Sequence, residues 1–263
     1  MNVLKLAAGK IARRIAKKGE SGTVIGVFSQ GIYCKISGEI ILFHCAKWGH
    51  VPFGFGLESF SAFSEAVCAS AGDEITLTEK SLTISGKTFD IDLVCDVPAP
   101  FVPSGDAESA RLDEIFGYVK EHGSELGILD LIEKNRIGCK DAIRALANGN
   151  ISAGTKLIGL GRGLTPSGDD FLCGYFAVLN ARGVLAVSLR ESIFDNLNRT
   201  TDISGAYIGA VLGRRYFTIY DRVVKAIYSS GDFREDVDFV LKMGASSGTD
   251  TMIGALVAAG YAI

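Results

Sequence analysis

Ser167-Gly168-Asp169-Asp170-Phe171-Leu172-Cys173-Gly174 and Ser247-Gly248-Thr249-Asp250-Thr251-Met252-Ile253-Gly254 share the pattern S-G-x-D-x-x-x-G, and each leads into an apolar run. Gly163 and Gly244 precede the two copies, and the first also follows a glycine-rich stretch with Gly159, Gly161 and Gly163. A serine with Asp three residues on reads as a capping box, in which the serine accepts from the backbone of the first turn and the carboxylate reaches back. Capping accounts for Ser167/Asp170 and Ser247/Asp250 without any ligand. It does not require Asp169, so replacing Asp169 is expected to leave stability nearly unchanged while affecting chemistry.

The alternative to capping is ligand chemistry. A helix start after a glycine-rich loop offers unpaired N–H groups to an anion. Gly161, Arg162, Gly163, Thr165, Ser167 and Gly168 are the substrate-binding candidates of the first copy, with Ser247 and Gly248 those of the second. Carboxylates in such a place repel a bare phosphate, and two resolutions stand open. Asp169, Asp170 and Asp250, the catalytic candidates, could hold a Mg²⁺ ion that bridges to phosphate oxygens. They could instead accept hydrogen bonds from an amide or ureido N–H while the loop holds the oxyanion. The two helix starts are expected to face one shared cleft. The loop lacks the Gly-Lys-Ser/Thr of a P-loop and is no dinucleotide fingerprint. Arg199, Thr200 and Ser204, between the copies, add a guanidinium and hydroxyls suited to a carboxylate or phosphate, or else form a loop and helix cap.

Gly-Leu-Thr-Pro-Ser-Gly-Asp-Asp over 163–170, Thr-x-x-x-Ser over 200–204 and Gly-x-x-Ser-Gly-x-Asp-x-x-x-Gly over 244–254 resemble, in that order, a bacterial family of domains classed as of unknown function. One branch of it is the small subunit of oxamate carbamoyltransferase, in anaerobic allantoin breakdown. The resemblance implies a subunit that works with larger partner subunits to convert oxalurate and phosphate to oxamate and carbamoyl phosphate. It is dense over about 157–254 and thin over the first hundred residues. A non-catalytic subunit that binds a small anion or assembles the larger partners is the competing reading.

The elements that must position these residues are α+β: a β-rich barrel or sandwich domain over 1–103, then a helical domain over 104–263 that carries the site. Short β-type runs occupy 23–28, 32–36, 40–44, 75–78, 81–84 and 88–93, separated by Ser-Gly turns. Trp48 to Gly56 reads as an aromatic-glycine loop holding His50. Residues 2–18 read as one basic amphipathic helix, docked on the surface or else a membrane-surface or targeting segment. Pro98, Pro100 and Pro103 mark a linker. Helical spacing then covers 107–120, 124–134, 139–148, 169–181, 188–198, 203–213, 218–229, 233–243 and 248–260, with 171–181 and 251–260 apolar all round and so central.

A net charge of −3 and the lack of a basic stripe exclude a general nucleic-acid binder. The apolar tail from Met252 is too short for a bilayer, which needs about 20 residues. Six scattered cysteines without a C-x-x-C pair suit reduced core thiols in a cytoplasmic protein, Cys173 among them. With His44, His50 and His122 as its only histidines, the chain shows no Ser-His-Asp or Cys-His constellation.

Overall fold

The computed structural model describes residues 3–263. They form two compact units: the chain through Ala99 with Tyr216–Thr218, and Pro100–Arg215 with Ile219–Ile263. The turn from one to the other falls inside the proline-rich stretch. Tyr216–Thr218 count with the first unit because Phe217 is buried edge-on to Phe53 and the Thr218 hydroxyl accepts from the His50 N–H.

The first unit is a closed barrel of eight strands: β1 (Leu4–Ala8), β2 (Glu20–Phe28), β3 (Gly31–Ile36), β4 (Glu39–Cys45), β5 (Gly54–Leu57), β6 (Glu74–Leu77), β7 (Ser81–Ile84) and β8 (Lys87–Val94). Their order is β1-β5-β4-β3-β2-β6-β7-β8, closed by the parallel pair of β1 and β8. The β3–β4 and β7–β8 hairpins turn through Ser37-Gly38 and Ser85-Gly86, all four at positive φ, the backbone that two-residue hairpins favour. Closure leaves no open sheet edge and fills the interior with Leu6, Val24, Ile32, Cys34, Ile36, Ile41, Phe43, Phe55 and Leu82.

Two expectations for this unit are corrected, the single helix over 2–18 and the loop over 48–56. Residues 4–18 are a strand and a helix, α1 (Lys10–Lys18), because Leu6 and Ala8 alternate inward before the chain turns at Gly9; Asn2 lies outside the described residues. Ala12, Ile15 and Ala16 of α1 join the barrel core, so this face is docked. The stretch 48–56 is not loop throughout: β5 begins at Gly54 and pairs in parallel with β4 and antiparallel with β1. The helix α2 (Phe60–Val67) then closes over the core through Phe60, Phe63 and Val67.

The second unit is helical: α3 (Ser109–His122), α4 (Ile128–Glu133), α5 (Cys139–Ala147), α6 (Ile151–Thr155), α7 (Ser167–Ala181), α8 (Val187–Phe194), α9 (Asp202–Leu212), α10 (Thr218–Tyr228), α11 (Arg234–Leu241) and α12 (Ser247–Ala258). Helices α7 and α12 lie at its centre, buried on every side from Ser167 to Val178 and from Gly248 to Val257. Among the described residues no helix is long and apolar enough to cross a membrane.

Candidate functional site

The repeated heads meet where α7 and α12 cross. A Cβ added to Gly174 would lie 1.9 Å from the Thr251 carbonyl oxygen, and one added to Gly254 would lie 1.9 Å from that of Phe171. Residues 171 and 251, and 174 and 254, are equivalent places in the repeat. The contact is therefore reciprocal, a local two-fold relation between helices whose backbones touch. Gly168 and Gly248 match in the same way, each packed on a carbonyl of its preceding segment, Leu157 and Val240, at 2.0 and 2.1 Å from an added Cβ. The fourth residue of the pattern and the eighth are thus separated in role: glycine sets the approach, and aspartate is carried along to the junction.

The expected capping boxes are not formed. Pro166 and Ser246 stand at the N-caps of α7 and α12, and neither helix has a side-chain cap bond. The serines serve the opposite head. Ser247 hydrogen-bonds to Asp170, and Ser167 to Asp250. Thr165 and Ser247 hydroxyls lie 3.1 Å apart, and Thr165 also bonds to Asp170. Side-chain exchange between heads replaces the bond within each head because the helix starts lie side by side.

The three aspartates have different surroundings. Asp250 accepts from the Ile128 N–H at 2.6 Å and from the Ser246 hydroxyl at 3.0 Å. Burial outweighs these bonds and raises its pKa to about 6. Asp170 is raised well above the ordinary carboxylate range by burial, and the charges of Asp250 and Asp169 add to this. Its Oδ2 is buried and has no hydrogen-bond partner. Asp169 is wholly buried and faces elsewhere. It accepts from the Gly159 N–H at 2.8 Å, from the Ser204 hydroxyl at 2.7 Å and from the Thr200 hydroxyl. It ties the loop before α7 to the start of α9, and burial raises its pKa despite the three donors. The carboxylate that capping did not require is the structural hub, and the one assigned to capping has an open oxygen.

The remaining candidates divide similarly. Gly161, Arg162 and Gly163 are exposed, with φ of +127° at Gly161 and +89° at Gly163. The backbone bonds outside helices and strands include none from the N–H groups of residues 161–165, so this loop retains the donors expected of an anion cradle. Gly168 and Gly248 do not add to it: their N–H groups are taken by the Leu160 and Met243 carbonyls at 2.8 and 3.0 Å. Thr200 and Ser204 point to Asp169. Arg199 donates to the Thr155 carbonyl at 2.9 Å. Thr201, the next hydroxyl of the same stretch, caps α9 as the helix-cap alternative expected, and donates to the Leu164 carbonyl, anchoring the cradle. Ile128 and Ser246 were missed; Ser246 was findable as the residue just before the repeated serine, while Ile128 contributes only a backbone N–H.

A Mg²⁺ ion suits these residues poorly. Among the described residues no three His, Cys, Asp or Glu side chains are gathered to hold a metal. Asp169 and Asp250 are committed to donors, whereas hard cations take about six oxygen ligands. Cys173 is buried beside the Tyr220 hydroxyl, and burial raises its pKa far from a thiolate's. His44 and His50 belong to the barrel unit, and His122 lies against the Tyr118 ring.

No solved structure matches the chain. A family model described as oxamate carbamoyltransferase subunit AllH matches residues 157–259, the segment from the cradle through α12. Both heads fall within that match, so the helical segment that carries them is similar to this family.

Proposed function

We propose that this chain is a subunit of an oxamate carbamoyltransferase-type assembly, and that its small amide or ureido acid binds at the junction of the α7 and α12 heads. The observation that carries the reading is one place in the fold: an acceptor-free loop of backbone N–H groups beside a buried carboxyl with an open oxygen, inside the segment that matches the family. The N–H groups of residues 161–165 would hold carboxylate or phosphate oxygens, with the exposed Arg162 adding positive charge. Asp170 would orient the nitrogen end.

In carbamoyl transfer to phosphate, a phosphate oxygen bonds to the carbamoyl carbon, the C–N bond to the oxamate nitrogen breaks, and that nitrogen gains a proton. Fixed N–H donors favour the oxyanion that forms on the way. Cys173 is a buried thiol, Asp169 is committed to three donors, and the Ser167 and Ser247 hydroxyls are buried in bonds to the opposite aspartates. This supports a division of labour in which this chain holds the substrate and larger partner subunits complete the chemistry.

The test is the reconstituted complex with Asp170→Asn. Turnover should fall at least tenfold, about 1.4 kcal/mol of transition-state stabilisation, with assembly unchanged by sedimentation. Wild-type turnover in that complex would favour a purely assembling subunit.

A further inference from the structure

Pro166 and Ser246 occupy the same place in the two heads, one residue before the repeated serine, and they make the heads unequal. Ser246 donates its hydroxyl to Asp250 Oδ2 at 3.0 Å, and Ile128 gives its N–H to Oδ1 at 2.6 Å. Proline has no hydroxyl to give. Asp170 Oδ2 accordingly has no partner, although the residue is only 5% exposed. A buried oxygen in that state is costly, and it calls for an occupant. Thr165, the last residue before Pro166, hydrogen-bonds to the same carboxyl, which puts that carboxyl next to the cradle. The second head has no counterpart of this loop: Gly244 is followed at once by Ala245, Ser246 and Ser247.

Resting on the site reading above, we infer that the heads are a duplicated unit of which only the first binds ligand: Asp170 Oδ2 accepts an N–H from a primary-amide or ureido group, and the backbone of residues 161–165 holds the acid end of the same small molecule. The second head is the closed copy, its carboxyl filled from within. The pairing selects an amide over the corresponding diacid. With the Asp170 proton on Oδ1, where the Ser247 and Thr165 hydroxyls accept it, Oδ2 is a bare acceptor: a diacid of equal size brings an oxygen without hydrogen to it, whereas the amide brings a donor. Selection by an unsatisfied buried polar group is the stronger kind of discrimination.

Calorimetry on the full-length chain tests this with two pairs of probes, oxamate against oxalate and malonamate against malonate. The amide of at least one pair should bind at least tenfold more tightly than its diacid. Pro166→Ser places a hydroxyl where the second head has one, so the fold should stay intact by thermal melting while the preference drops at least tenfold. Asp170→Asn keeps the volume but turns a donor toward the ligand, and should remove the preference too. Equal affinities within both pairs, a preference that survives Pro166→Ser, or no binding of any probe to the folded chain would each overturn the inference. Amide preference without carbamoyl transfer by the reconstituted complex keeps this inference and rejects the carbamoyltransferase reading. Transfer with equal affinities does the reverse.

Discussion

Asp169→Asn should destabilise the protein more than Asp170→Asn, the opposite of what capping by Asp170 requires. Asp169 accepts from the Gly159 N–H, the Thr200 hydroxyl and the Ser204 hydroxyl in a wholly buried place. Asparagine offers one acceptor oxygen, and its amide turns two hydrogens toward the remaining donors. The hydroxyls of Thr200 and Ser204 can rotate to accept instead, but the Gly159 N–H is fixed. Each buried donor left without an acceptor costs about 1–3 kcal/mol. Removing a buried charge returns part of this, since burial already disfavours the ionised form. The net expectation is about 2–3 kcal/mol. Asp170 is held toward its neutral form, and asparagine is close in shape to a protonated carboxyl, so its replacement should cost less than about 1 kcal/mol. Urea titrations give the comparison as a shift in midpoint at constant m. Should Asp169→Asn come within about 0.5 kcal/mol of wild type, or should Asp170→Asn cost more, the assignment of Asp169 as hub would be wrong.

Gly174→Ala and Gly254→Ala should each cost about 3 kcal/mol or more, and by similar amounts, because either methyl would meet a carbonyl at 1.9 Å and force α7 from α12; unequal melting losses would argue against the reciprocal contact. Asp250, raised from 3.8 to about 6, binds its proton more tightly when folded, so its contribution is fully present below about pH 3.8 and is lost as pH rises toward 6, by about 3 kcal/mol. The groups facing it are Asp170, the Cys139 thiol, the Ser167 and Ser246 hydroxyls and the Ile128 N–H. Hydrogen exchange of α12 amides should show that slope, and Asp250→Asn should flatten it. His44 runs the other way: burial lowers it from 6.5 to about 4, so the barrel loses about 3 kcal/mol as pH falls between those values. Fluorescence of Trp48, in the barrel unit, should follow this loss, and its persistence in His44→Gln would refute the cause.

The order of elements was legible in the chain wherever the signal is local. Alternating β-branched residues with Ser-Gly turns marked β2, β3, β4, β6, β7 and β8. All-round apolar runs marked α7 and α12 as central. The heads stood out because S-G-x-D-x-x-x-G is written twice. What periodicity misread was short or tertiary in origin. β1 is five residues and β5 four, each too brief for a period to declare itself, and both are strands because the closing barrel supplies neighbours on either side. The helix α6 is likewise only five residues.

At the site the sequence determined which residues arrive at the junction, and the tertiary structure decided what each does there. Ser-x-x-Asp spacing specifies a capping box so long as a helix start is considered alone. It cannot encode a second helix start close enough to compete, and Gly174 and Gly254 bring that rival within bonding reach. The serines then serve the opposite aspartates, Asp169 faces α9 instead of the junction, and a proline in place of Ser246 leaves Asp170 open. Hydrogen-bond partners are chosen by distance in space, and a local sequence pattern fixes that distance only within one turn of its own helix.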